Sequence, residues 1–204
     1  MGVFITFEGI DGAGKSTQAK LLYEYLREAG KKTILTREPG GTETGKELRK
    51  ILLSENKEKI SSISELFLYE ADRNIHVNNI LKPFYEKDFY IVCDRYIDST
   101  LAYQGYARGL DINLIKNLND IAVEGMYPDI TFLIDIPVEI ALERLGEKKD
   151  RIEKEDVSFY KRLREGFLKI AHENKNRITI IDGRKKINEI LKEIVDVLKA
   201  KGLL

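Results

Sequence analysis

The segment Gly9-Ile10-Asp11-Gly12-Ala13-Gly14-Lys15-Ser16-Thr17 carries the densest chemistry in the chain, because its first eight residues match GxxxxGK[ST]. Glycines at 9, 12 and 14 allow a backbone turn whose N–H groups converge on an anion at a helix N-terminus. In that geometry Lys15 contacts the β and γ phosphates of a nucleoside triphosphate, and the Ser16 hydroxyl ligates Mg²⁺. With glycine near 7% of residues, chance produces the pattern in about one chain in a hundred of this length. It therefore points to a nucleotide site, provided that a strand precedes it and a helix follows.

Both elements are expected. Val3–Phe7 is a short β-rich run, and Ala19, Leu21, Leu22, Tyr25 and Leu26 follow the loop at helical spacing. The unit then repeats: Thr33–Thr36 reads as a second strand, with a helix through Leu48, Ile51 and Leu52 after it. A long helical stretch covers residues 63–85. Phe89–Cys93, Ile130–Ile136 and Arg177–Ile181 read as three more strands. A last helix places Ile187, Ile190, Leu191, Ile194 and Leu198 on one face. Strands alternating with helices form a parallel sheet covered on both faces, and ligands bind beyond the carboxyl ends of its strands. The unusual segments Glu8–Ser16, Arg37–Gly41, Asp94–Tyr96 and Asp182–Arg184 all follow strands, so several loops are expected to share one site.

Bulk properties exclude other classes. A chain of 204 residues with 43% apolar residues suggests one α/β domain with its own core. Lys plus Arg equals Asp plus Glu at 34 each, so nothing global favours nucleic acid or an anionic membrane. No apolar run is long enough for a membrane span, and the N-terminal residues lack a basic region followed by a long apolar stretch, so a soluble, unexported protein is expected. The single cysteine, Cys93, leaves no internal disulfide framework and fits a cytoplasmic protein; its place in a strand reads as a small buried residue. His76 and His172 lie in helical stretches without partners at metal or triad spacing.

Together with the phosphate loop, four further segments carry a family resemblance: Thr36-Arg37-Glu38-Pro39-Gly40-Gly41, Ala71-Asp72-Arg73, Asp94-Arg95-Tyr96 and Ser99-Thr100-Leu101-Ala102-Tyr103-Gln104-Gly105. In this order they resemble the bacterial thymidylate kinases, nucleoside monophosphate kinases, over nearly the whole chain. The resemblance implies a three-layer α/β/α P-loop NTPase fold with a five-stranded parallel sheet and a short lid, over residues 1–204. It implies transfer of the ATP γ-phosphoryl group to dTMP with Mg²⁺, and a homodimer.

The resemblance also implies roles for single residues. Arg49 and Arg95 hold the acceptor phosphate, a task that suits planar guanidiniums. Asp94 lies near the phosphates and Mg²⁺. Arg73 bonds the base, Thr100 and Gln104 read the pyrimidine edge, and Tyr69, where the family usually has Phe, stacks on the ring. Asp11 and Tyr103 surround the sugar, and Glu38 faces the same sugar or Mg²⁺. Read without the resemblance, Arg49 also fits a solvated helix face, Arg95 an ion pair with Asp94, and Tyr69 a core aromatic.

Phosphoryl transfer requires a cation on the moving group. Some relatives place an arginine inside the phosphate loop, where this chain has Gly12. The cation is then expected from a lid at about residues 144–156, which holds Arg144, Lys148, Lys149 and Arg151 around Gly146. Arg151 is the first candidate for the catalytic group, and Arg144 joins the ATP site. The alternative is an ordinary charged connector. Other functions to weigh are another pyrimidine or nucleoside kinase, and a nucleotide-dependent switch.

Overall fold

The computed structural model describes residues 2–55, 58–146 and 150–204. Five strands, β1 (Val3–Glu8), β2 (Thr33–Arg37), β3 (Tyr90–Asp94), β4 (Ile130–Asp135) and β5 (Ile178–Asp182), form one sheet in the order β2-β3-β1-β4-β5. All pairs are parallel: Val3 lies opposite Tyr90, Ile5 opposite Ile130, Thr33 opposite Tyr90 and Thr131 opposite Ile178. Phe4 through Glu8 are all buried, as a central strand walled on both faces requires. The polar pair in this strand's middle is satisfied locally, with the Thr6 and Thr131 hydroxyls 2.6 Å apart.

The helices are α1 (Lys15–Glu28), α2 (Glu43–Leu53), α3 (Ser62–His76), α4 (Lys82–Tyr85), α5 (Ile97–Thr100), α6 (Ile112–Val123), α7 (Val138–Leu145), α8 (Val157–Glu173) and α9 (Ile187–Ala200). Side chains close several of their starts: the Thr42, Ser61 and Asp156 side chains accept from the N–H groups of Gly45, Ser64 and Phe159. The rod expected over residues 63–85 is continuous but passes through a π-helical turn, Val77–Leu81, between α3 and α4. That turn brings Val77 and Leu81 onto Phe4 and Ile91. A second π-helical stretch, Leu101–Ala107, continues α5 and turns Tyr103, Gln104 and Ala107 inward.

The main core joins Ile5, Phe7 and Phe132 of the sheet to Leu22 and Leu26 of α1, Leu163 and Phe167 of α8, and Ile194 and Leu198 of α9. Each such fully buried side chain contributes about 1.5–3 kcal/mol. Ile187, expected on the buried face of α9, is instead 55% exposed, because it opens the helix at the rim of a cleft. Cys93 is buried and unbridged. The strand order reverses direction at β1, between β3 and β4, and the cleft opens there beyond the carboxyl ends of the strands.

Candidate active site

A cleft of about 620 Å³ is lined by the loop after β1, the ends of β2 and β3, the inner faces of α3 and the second π-helical stretch, the residues Arg144, Asp150, Ile152 and Glu153, and residues between Gly183 and Ile190. The phosphate loop is built by glycine. Gly12 has φ 81°, and a Cβ there would stand 2.5 Å from the Ala141 carbonyl oxygen, so no side chain fits at this position. Gly14, also left-handed, leads into α1. Lys15 is buried, and its Nζ donates to the Ile10 carbonyl at 2.8 Å. Burial and the nearby Arg95 push the ammonium pKa down to about 8. The Ser16 hydroxyl donates to Asp94 Oδ2 at 2.5 Å. Asp94 Oδ1 is buried and has no hydrogen-bond partner among the described residues.

At the end of β3 Arg95 has φ 74°, an uncommon left-handed backbone for a long side chain. This kink turns its guanidinium toward β1 rather than toward Asp94. It pairs with Asp11, donates to Tyr103 Oη at 3.0 Å and to Gly9 O and Ser99 Oγ at 3.2 Å, and lies over the Tyr103 ring. Tyr103 Oη donates to Asp11 Oδ2 at 2.5 Å. Burial raises the Asp11 pKa, but Arg95 and Lys15 outweigh it and hold the carboxyl below its usual range. Arg49 Nη1 donates to Pro39 O at 3.0 Å. Burial, Arg37 and Arg95 all disfavour its charge. Arg37, Arg49 and Arg95 line one cavity, a cluster of like charges that an anion would relieve.

On the inward face of α3 Arg73 is fully buried. Its Nε donates to Glu38 at 2.9 Å, its Nη1 to Glu70 at 2.9 Å and to Asn119 Oδ1 at 2.6 Å, and it lies over Tyr96. Both Glu38 oxygens are taken, the second by His76 Nδ1 at 2.9 Å, so Glu38 is joined to α3. Tyr69, Thr100 and Gln104 line the same wall.

Arg144 lines the donor end, with Nη2 3.5 Å from Gly183 O. Arg151 lies against the acceptor wall: its N–H and Nε donate to Leu53 O and Leu52 O, and Nη2 to Glu65 at 2.5 Å. Lys148 and Lys149 lie outside the described residues.

Sequence reasoning missed Arg37, Glu65, Asn119 and Glu8. One signal was present: Glu65, Tyr69, Asp72, Arg73 and His76 follow helical spacing, so α3 turns a polar stripe inward while Ile63 and Phe67 face out. Glu8 gave no such signal. It is buried, accepts from the Tyr96 and Ser99 N–H groups and from Ser99 Oγ, and burial followed by Asp98 pushes its pKa up to about 7.

Residues 7–194 match the family model described as thymidylate kinase. A thymidylate kinase of Sulfurihydrogenibium sp. (strain YO3AOP1) is 57% identical over 204 residues, covering all of both chains. One from Trichormus variabilis is 47% identical over 97% of this chain and 95% of its own. The crystal structure of thymidylate kinase from Ehrlichia chaffeensis superimposes with a TM-score of 0.80 at 40% identity, covering 97% of this chain and 98% of that one.

Proposed function

We propose how the cleft works from one premise: the chain belongs to the thymidylate kinase family and catalyses the ATP-dependent phosphorylation of dTMP to dTDP. In this proposal the loop Gly9–Thr17 cradles the ATP phosphates, with Lys15 on the β and γ groups. Arg144 flanks the nucleotide at the donor end. Arg95, Arg49 and Arg37 clamp the dTMP phosphate, each with a planar fork that keeps its charge. Asp11 and Tyr103 face the sugar, and Arg73, Thr100, Gln104 and Tyr69 hold the base. Transfer is direct and in line. The attacking phosphate oxygen is already anionic near neutral pH, so no general base is required.

Mg²⁺ fits the donor set. Ser16 Oγ and the unpartnered Asp94 Oδ1 would hold it, directly or through water, with phosphate oxygens completing the shell. When bound, the ion neutralises charge on the transferring phosphates. Arg151 is the proposed lid cation for the transferred group. The observation that supports the acceptor assignment is the guanidinium cluster, because burial and two like charges disfavour the Arg49 charge more than Tyr69 and Asp150 favour it, a balance that a bound anion would reverse.

The test is a coupled assay of ADP release with Mg·ATP against nucleoside monophosphates and free nucleosides, with Lys15→Ala as the blank. dTMP should lead by orders of magnitude. Thymidine reacting as well as dTMP would remove the phosphate-clamp assignment.

The proposal extends to one kinase domain over residues 1–204, with a lid at about 144–156, working in the cytoplasm as a homodimer. Among the described residues no helix is long and apolar enough to cross a membrane. The packed pair α3 and α6 exposes Ile63, Phe67 (56%), Leu114 and Ile121 (70%), an apolar face suited to a second copy. Phe67→Glu should halve the mass seen by light scattering; an unchanged mass would move the interface elsewhere.

A further inference from the structure

Glu65 has no role in the assignments above, yet it is only 1% exposed and three donor side chains from two other parts of the chain converge on it. Gln104 Nε2 donates to Oε1 at 2.8 Å, and Arg108 Nε to the same oxygen at 3.2 Å. Arg151 Nη2 donates to Oε2 at 2.5 Å, with Arg108 Nη2 3.5 Å from that oxygen. Arg108 also reaches forward to Glu155 at 2.5 Å. A buried carboxylate is costly unless its lone pairs are matched, and here two guanidiniums and an amide match them.

We propose that Glu65 is a positioning residue for base selection, fixing which end of the Gln104 amide faces the cleft. A carboxylate held between two guanidiniums offers only lone pairs, so the amide group turned to it must be the NH₂. The opposite flip would set two oxygens 2.8 Å apart. Gln104 therefore presents its carbonyl Oε1 to the cleft it lines. A carbonyl accepts from a ring N–H, which thymine and uracil carry at N3. Cytosine has a bare lone pair at N3, and against Oε1 that pair is left unmatched and repelled. Glu65 thus imposes the choice of pyrimidine without touching it. The same carboxylate anchors Arg151, so the base reader and the lid cation share one fixed point. This inference rests on the assignment of Gln104 to the acceptor base.

The experiment compares kcat/KM for dTMP, dUMP and dCMP in the wild type, Glu65→Gln and Glu65→Asp. Glutamine can offer either an oxygen or an NH₂ to Gln104 and so releases the flip. The preference for dTMP over dCMP should fall at least tenfold in Glu65→Gln, with KM for ATP within twofold of the wild type. Glu65→Asp, still an acceptor only, should keep the preference even where KM for dTMP rises. A wild-type preference for dTMP that persists unchanged in Glu65→Gln overturns the proposal alone. A wild type without any preference overturns the base assignment and the proposal with it. The side-chain amide of Gln104 in ¹⁵N spectra of the wild type gives a readout that does not depend on variant folding. One downfield, slowly exchanging proton, unmoved by dTMP, is expected. Rapid exchange of both protons would refute the lock.

Discussion

Replacing Arg73 by methionine keeps an apolar stem of similar reach and deletes the charge on which the acceptor end is organised. Burial opposes that charge, but Glu70 and Glu38 outweigh it and hold the guanidinium pKa above the usual arginine value. In Arg73→Met both carboxylates lose their counter-charge while remaining buried. They stand beside Asp72, which burial and Glu38 already push up to about 7. Removing one partner of a buried ion pair costs about 3–5 kcal/mol. At about 2–4 °C per kcal/mol for a chain of this size, the melting temperature near pH 8 should fall by roughly 6–20 °C.

The same reasoning fixes a pH signature. Burial already holds the Glu70 pKa above the unfolded value of about 4.3, and without Arg73 to oppose it that pKa rises further, so the stranded carboxyl escapes by binding a proton. A group with a raised folded pKa stabilises fully below its unfolded pKa and loses that contribution as pH rises through the folded value. The deficit of Arg73→Met should therefore be small near pH 5 and complete near pH 8. Glu8 titrates alike in both proteins and cancels in the difference, whereas Asp72 loses the lowering influence of Arg73, rises further in the variant and adds to the deficit at pH 8. Urea unfolding of both proteins at about pH 5, 6.5 and 8 measures the deficit. A value below about 1 kcal/mol, well short of a broken buried pair, or one equal at both ends of the range, would refute the view that paired carboxylates hold Arg73.

Other expectations bear on the remaining parts of the cleft. Lys15→Ala should abolish turnover; in the wild type KM for ATP should climb above pH 8, where the depressed ammonium loses the proton that phosphates require, and a flat profile to about pH 9.5 would contradict this. Gly12→Ala should raise KM for ATP at least tenfold and destabilise the fold by about 1–2 kcal/mol, since its Cβ meets the Ala141 carbonyl in a left-handed backbone; unchanged ATP kinetics would show that the loop can shift. Arg37→Ala should raise KM for dTMP tenfold or more while leaving KM for ATP alone, and it should not lower the melting temperature, because it relieves repulsion on Arg49. A loss of stability there would mean that Arg37 is structural.

Much of the fold was legible because its signals are local. Apolar runs of four to seven residues placed all five strands to within one residue at every end, and the glycine pattern placed the phosphate loop. The π-helical turns were not legible: no residue type marks Val77–Leu81 or Leu101–Ala107, and the wider turn answers to what packs against it. The site followed the same division. Residues inside the phosphate-loop motif, such as Lys15 and Ser16, could be named from spacing, and Arg95 from the family resemblance. Their partners could not, because Arg95 meets Asp11 across 84 residues and Ser99 meets Glu8 across 91. Glu8 carried no signal at all, and Glu65 little, since a charged residue near a helix start usually reads as solvated surface. Only the inward polar stripe of α3 distinguishes it.

The sheet order also sets a timetable for synthesis. β1, which carries the phosphate loop, lies between β3 and β4, strands that begin at Tyr90 and Ile130. The first strand to leave the ribosome is therefore without a partner until Tyr90 has emerged, and without its second until about two thirds of the chain exists. Pairing across such separations is slow, because chain closure precedes any gain from contact. β2 waits for β3 equally long, but the chain joining that pair is shorter, so it closes at a smaller entropy cost and β1 slots in beside it. A chain released before Asp135 would carry the complete glycine motif without the carbonyl and strand walls that shape it, and nascent fragments of this kinase would have no working nucleotide cradle.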